Sequence, residues 1–312
     1  MDDPDPGLFG PGSVTWQMHG DPMMWVAGVR ALYLQALHPR AVRGVTQNSD
    51  FRKDAWGRLM RTAGFVGTLT YGTTQAAEEY GARVRRIHRL LRATDPETGE
   101  VYGIDEPALL LWVHCAEVDS YLQVERRSGY PITDAQADRY VDEQRESARL
   151  VGLDPSDVPG TTAALAAYFE QVRPLLAAGP EAADVDDFLR EPPVPALLTP
   201  ARALFWRRVA ALAYDSLPAY AHALYGRAAP PQARVDRRLR ITGTALRAVP
   251  ARLRRRLPPG HIVKAMARLG PGSRPTPYKL RRQAAILDGP GGRSGSGSET
   301  NGGDNRRWRT PG

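Results

Sequence analysis

The sequence predicts an all-α fold, a single-domain helical bundle, on three observations. Apolar residues recur at three- and four-residue spacing over long windows. No window sustains the period-two alternation with β-branched residues that a sheet requires. Helix start and stop signals bracket the periodic windows. With 312 residues and 42% apolar content, the chain is long enough to bury a substantial core.

Residues 1–20 are rich in Pro, Gly and Asp and are expected to form an arm that gains order only by packing on something else. Residues 22–37 are apolar on nearly all faces, which predicts a central buried helix with Asp21 as N-cap and Pro22 at its first position. It should end at His38-Pro39, because the residue before proline avoids the helical region. Helices are expected over 54–70 and 75–93, followed by a turn-rich link from Asp95 to Ile104. Asp105 should cap a long apolar helix with Pro107 in its first turn, where Leu109 to Leu122 carries little charge besides Glu117 and Asp119. Thr133-Asp-Ala-Gln136 forms a capping box for a helix to about Leu150, stopped by Gly152. Thr162 opens another that reaches Arg173, before Pro174. Further helices fit 183–190, 200–216 and 218–226, with short ones between 234 and 270. The expected organisation is therefore an arm (1–20), a helical domain (21–226), a basic helical region (227–288) and a disordered Gly/Ser-rich tail (289–312).

The net charge of +8 conceals an uneven distribution. Residues 1–226 hold 22 Lys/Arg against 30 Asp/Glu, whereas 227–282 hold 16 Lys/Arg against Asp236 alone. The basic region, with Arg252 and Arg254-Arg-Arg256 beside apolar residues, suits the acidic body of the chain itself, an anionic membrane surface or, less well, nucleic acid. The N-terminus carries neither a basic nor an apolar stretch of the kind that marks secretion, and no run of 18 uncharged apolar residues occurs. A cytoplasmic location, peripheral to membrane at most, is the expectation. Cys115 is the one cysteine, which excludes an internal disulfide and a cysteine-based zinc cluster. No phosphate loop or nucleophile elbow appears. Cys115 and His114 are adjacent on a helix and diverge by about 100°, so they do not form a nucleophile–base pair.

Six histidines carry the remaining chemistry: His19, His38, His88, His114, His222 and His261. Two of them fall on apolar helical surfaces. Tyr80, Val84, Ile87 and Leu91 place His88 on a buried stripe, and His114 sits in Leu109-Leu-Leu-Trp-Val-His114-Cys115. An imidazole in such a place needs a partner for each ring nitrogen. No spacing supplies a multi-residue metal cage, so the pattern favours a single axial ligand beside an apolar slot. A porphyrin meets that need, because it brings four nitrogens of its own. Arg58, Arg61, Arg85 or Arg89 are placed to pair with its propionates.

These segments together resemble the DUF2236 (MpaB-like and rubber oxygenase) family. The likeness runs over about residues 15–226, through Leu32-Tyr-Leu-Gln35-Ala-Leu-His38-Pro39-Arg-Ala-Val-Arg-Gly-Val45, then Asn48-Ser-Asp-Phe51, then Arg58-Leu-Met-Arg-Thr62, then Ile87-His88, Tyr102 and Leu111-Trp-Val-His114. The resemblance implies an all-helical fold around haem b, and oxygen-dependent oxidation or cleavage of a hydrophobic, isoprenoid C=C bond. It implies that Arg58 and Thr62 are the family's Arg-x-x-x-Thr residues beside the haem, with Arg61 in the same cofactor-binding wall. His88 is then the axial iron ligand and His114 the alternative. Trp25 and Trp112 should line the cavity. Rubber oxygenases carry a lysine where this chain has Arg61, and an acidic residue upstream of the arginine; here no Glu occurs before Gln75. Arginine stays protonated and is a poor iron ligand, so cleavage of polyisoprene in their manner is not expected. Asn48 stands where many members have histidine. The alternatives are a non-catalytic haem or lipid carrier of the same fold, and a basic protein that binds a membrane surface or nucleic acid through residues 227–282.

Overall fold

The computed structural model describes residues 4–49, 55–192, 205–250 and 260–287. Their 14 α-helices begin with α1 (Val14–Met18), α2 (Met24–Gln35), α3 (Pro39–Asn48), α4 (Ala55–Tyr71) and α5 (Thr74–Leu90). A small hairpin of β1 (Arg92–Thr94) and β2 (Val101–Gly103) follows, then α6 (Pro107–Arg127), α7 (Asp134–Val151), α8 (Thr162–Val172) and α9 (Pro180–Arg190). The chain continues through α10 (Arg207–Asp215), α11 (Ala219–Leu224), α12 (Gln232–Ala248), α13 (His261–Leu269) and α14 (Pro277–Leu287). The all-α expectation holds.

The centre is the seam between α2 and α6, closed on its far side by α10. Val26, Ala27, Val29, Tyr33, Leu34, Trp112, Cys115, Ala116, Val118 and Leu122 are buried in one continuous cluster. Three side chains stitch it. The Trp112 indole N–H donates to the Gln35 carbonyl at 3.0 Å, and the Gln35 amide returns a bond to the Val113 carbonyl at 3.0 Å. Arg30, 3% exposed, donates to Asp119 at 2.9 Å and Ser120 at 2.7 Å, so the charge it brings into the seam is paired.

Several boundaries differ from expectation for local reasons. The N-terminal arm contains a helix: every residue of α1 is buried, Ser13 caps it through Trp16 N–H, and Glu143 of α7 accepts the Val14 and Thr15 amides at 3.1 and 2.8 Å. A carboxylate from elsewhere thus satisfies the free N-terminal amides of a helix too short to hold itself. Asp21 does not cap α2, which starts at Met24. One of its oxygens accepts from Met23 N–H at 3.0 Å and the other is taken by Arg247 at 2.7 Å. The cap position of α6 is Glu106 rather than Asp105, with no side-chain cap bond, whereas α8 begins at Thr162 as expected, with Thr161 as its cap. The capping box of α7 and its Gly152 stop, at φ 106°, are as expected.

The expected turn-rich link is a two-stranded antiparallel hairpin with Ala93 opposite Tyr102. Asp95 closes its turn by accepting from the Glu97 and Thr98 amides at 2.9 and 3.3 Å. Strands of three residues are too short to show a period in sequence. Downstream, the expected short helices between 234 and 270 begin with the 17-residue α12, and α14 lies beyond them but within the expected basic helical region. The start of the helix expected over 200–216, the Arg252 and Arg254–Arg256 cluster and the 289–312 tail lie outside the described residues.

The basic region meets the acidic body, one of the three partners its charge suits. Arg247 pairs with both Asp21 and Glu125, Arg238 with Asp215, and Arg227 with Asp186. Val235, Leu239 and Leu280 join the main core cluster. Among the described residues no helix is long and apolar enough to cross a membrane.

Candidate cofactor and substrate cavity

A cavity of about 1840 Å³ opens between α2, α4, α5 and α6 and runs on past α3, α9, α10, α12 and α13. It exceeds the ~300–1,000 Å³ of ordinary small-molecule sites. Its wall is predominantly apolar, and each helix contributes one stripe.

From α4 come Arg58, Arg61 and Thr62; from α5, Tyr80, Val84, Ile87 and His88; from α6, Leu110, Val113, His114, Glu117 and Tyr121; from α2, Trp25, Gly28 and Leu32. Arg58, Arg61, Thr62, His88, His114 and Trp25 are thus brought to one cavity, whereas Arg85 and Arg89 do not line it, and Arg85 donates instead to the Leu150 carbonyl at 2.6 Å. The stripe holding His88 is not buried in protein as expected: its members face the cavity, and Ile87 is 45% exposed. Trp112 does not line the cavity. Its spacing on α6 turns it to the opposite side, where its ring is fully buried against Phe169 and His38.

Of the two candidate ligands, His88 lies in the last turn of α5 with Nδ1 buried and without a hydrogen-bond partner. Desolvation lowers its pKa, and the Asp105 carboxylate opposes the shift. Desolvation likewise holds His114 neutral, with its pKa down to about 4. Both imidazoles are therefore unprotonated at neutral pH, as iron ligation requires. Arg58 donates to Ser49, and its pKa is lowered by desolvation and by the neighbouring Arg61 cation. Among the described residues no carboxylate pairs with Arg58, and its guanidinium is of the kind that would receive a propionate. Among the described residues no three His, Cys, Asp or Glu side chains gather closely enough to hold a bare metal ion.

The other histidines sort by position. His38 caps α3, its Nδ1 accepting the Ala41 amide at 3.4 Å, and His222 is buried beside Tyr214. His261 reaches Thr68 Oγ1 at 3.2 Å. The Asn48 amide donates to the Gly44 and Arg92 carbonyls at 3.0 and 2.8 Å, which ties α3 to the hairpin. The Tyr102 hydroxyl donates to the Arg40 carbonyl at 2.8 Å and its ring lies under the Arg40 guanidinium. Part of the motif set is therefore scaffold. Cys115 is buried with its thiol pKa pushed up, which makes it inert.

Two polar groups of the wall were not anticipated. His19, at the end of α1, is bonded through Nδ1 to Thr70 Oγ1 at 2.9 Å and through Nε2 to the Tyr140 hydroxyl at 3.1 Å; desolvation lowers its pKa to about 3. Glu117 faces the cavity beside Tyr121, and desolvation raises its pKa to about 7. The signal for Glu117 was present as spacing, three residues after His114 and four before Tyr121. That for His19 was hidden by the apparent disorder of its segment.

Neither the curated proteins nor the solved structures offer a match to this chain. The description of one family does fit, over residues 16–248: ER-bound oxygenase mpaB/B'/rubber oxygenase, catalytic domain. The match covers Trp16 of α1, the four cavity helices and the whole of α12, and the chain belongs to that oxygenase family.

Proposed function

We propose that the protein is a haem b-dependent oxygenase that uses O2 to oxidise or cleave a hydrophobic, C=C-containing substrate of isoprenoid type. The observation that carries this reading is His88. Its Nδ1 is buried without a partner, and the residue forms part of a large apolar cavity that Arg58, Arg61 and Thr62 also line. The residues fit the group: one neutral imidazole for the iron, two guanidiniums for the propionates and apolar walls for the ring. When bound, haem iron supplies oxygen activation, chemistry that no side chain here provides.

The chain's own residues do the rest. His88 would hold the haem iron, and His114, on α6, is the alternative. Arg58 and Arg61 hold negative charge at the α4 wall, and Thr62 stands one turn from Arg58. Trp25 and the aliphatic residues of α2 and α5 orient an apolar chain and exclude water. The basic region, where it is not paired with the body, would bring the enzyme to an anionic membrane in which such a substrate dissolves.

The absorption spectrum tests this. Protein expressed with sufficient iron and haem supply should show a Soret band that His88→Ala abolishes and His114→Ala leaves in place. A band lost in His114→Ala alone would transfer the ligand role to α6, and colourless protein after haem reconstitution would overturn the haem reading. The size of the cavity favours one rival, a carrier of haem or lipid without catalysis. Oxygen consumption with an isoprenoid substrate separates the two.

A further inference from the structure

We propose that His114, Glu117 and Tyr121 form a recognition site for the hydroxyl group of a long-chain alcohol whose apolar tail lies along the rest of the cavity. The proposal rests on the reading that the cavity takes a hydrophobic ligand. It does not rest on haem.

Helix α6 sets the three side chains above one another at spacings of three and four residues, all in the cavity wall. Behind them the His19 ring packs edge-on against Tyr121 with centroids 5.4 Å apart. Both nitrogens of His19 are already engaged, by Thr70 and Tyr140, so it buttresses the stripe and has nothing left to offer a ligand. Glu117 and His114 differ. Tyr121 is the polar neighbour of Glu117 one turn along α6, no ion pair holds that carboxyl group among the described residues, and the same is true of hydrogen bonds to His114. Polar groups left without partners in an apolar enclosure are costly, so a ligand that completes their hydrogen bonds gains affinity there.

Charge decides what that ligand is. An anionic headgroup would meet the Glu117 carboxyl group here, and is better served by Arg58 and Arg61 on α4. A cationic headgroup would have to give up its own hydration inside an apolar cavity. A hydroxyl group both donates and accepts. It therefore suits an imidazole, a carboxyl group and a phenol set one turn apart along the cavity wall, without bringing net charge into the cavity. A volume of about 1840 Å³ leaves room for the tail.

Displacement of a fluorescent fatty probe from the full-length protein, by hexadecanol and by its methyl ether, tests the assignment. The ether has the same tail and loses the donor. The wild type should prefer the alcohol by about tenfold or more. Glu117→Leu should bring that ratio to near unity while leaving ether affinity unchanged, which also shows that the variant is folded. Glu117→Gln, which can still donate and accept, should keep most of the preference. Equal binding of alcohol and ether by the wild type, or a preference that survives Glu117→Leu, would overturn the headgroup site alone. Failure of both compounds and the probe to bind would instead remove the hydrophobic-ligand reading beneath it.

Discussion

The two faces of α6 can be compared directly, because one helix serves both. On one side Trp112, Cys115, Ala116, Val118 and Leu122 are buried in the core shared with α2, Trp112 against Phe169 of α8, with almost no exposed surface. On the other, Leu110, Val113, His114 and Glu117 look into the cavity toward α4 and α5, helices that bury few residues of their own. The buried set of α5 is Ala77 and Gly81 alone. The seam side is held by packing that is already complete. The cavity side is held by backbone, by the ends of its helices and by whatever occupies the space. Stability and chemistry are thus separated within one helix, by side-chain direction rather than by segment.

This contrast is open to experiment, and the largest effect belongs to the ion network that joins Asp21 and Arg247, at the cavity wall, to the fully buried Glu125 of α6. Arg247→Ala should leave Glu125 and Asp21 buried without their cation and lower the unfolding free energy by about 3–5 kcal/mol, read by urea denaturation. A loss below 1 kcal/mol would mean that the basic helix α12 contributes little to the seam. Next in size, on the haem reading, is ligand stabilisation. Haemin at about a hundred times its dissociation constant should add about 2.7 kcal/mol. The added protection should appear in hydrogen exchange of α4 and α5 more than α2, and should vanish in His88→Ala. Uniform protection across both regions would contradict the division drawn here.

A paired substitution gives the next step. Val118→Ala, on the packed face, should cost roughly 2 kcal/mol, whereas Val84→Ala, on the cavity wall, should cost less than about 0.5 kcal/mol. Equal costs would show that the cavity wall is packed as tightly as the seam. The pH dependence is subtler. His114 takes a proton near pH 6.5 in the unfolded chain but only near 4 in the folded one, so its contribution is complete above pH 6.5 and is lost as pH falls toward 4. The stability of the wild type relative to His114→Gln should therefore fall over that window, by up to about 1.4 kcal/mol per pH unit. A flat difference would place His114 in contact with solvent.

Much of this was legible in the sequence wherever a signal repeats over several turns. The apolar run of α6, the capping box of α7 and the order of Arg58, Thr62, His88 and His114 placed the main helices and gathered the candidate residues in one wall. What escaped depends on partners distant in the chain. α1 is ordered because Glu143, far downstream, caps its amides, and no local pattern announces that. Asp21 looked like a cap but serves Arg247, and Trp112 looked like cavity lining because apolarity does not reveal which of two apolar sides a residue faces. Glu117 was visible as a charge in an apolar run, yet its meaning required knowing that the far side of α6 is space rather than protein.

A helix read from both sides cannot change its length. Inserting or deleting one residue in the middle of α6 would turn everything beyond that point by about 100°, carrying core side chains toward the cavity and cavity side chains toward the core. Substitutions can alter either surface independently, but a shift of frame harms both at once. Length variation within this chain should therefore be confined to connections such as the Asp95–Glu100 turn, while α6 diverges by replacement alone.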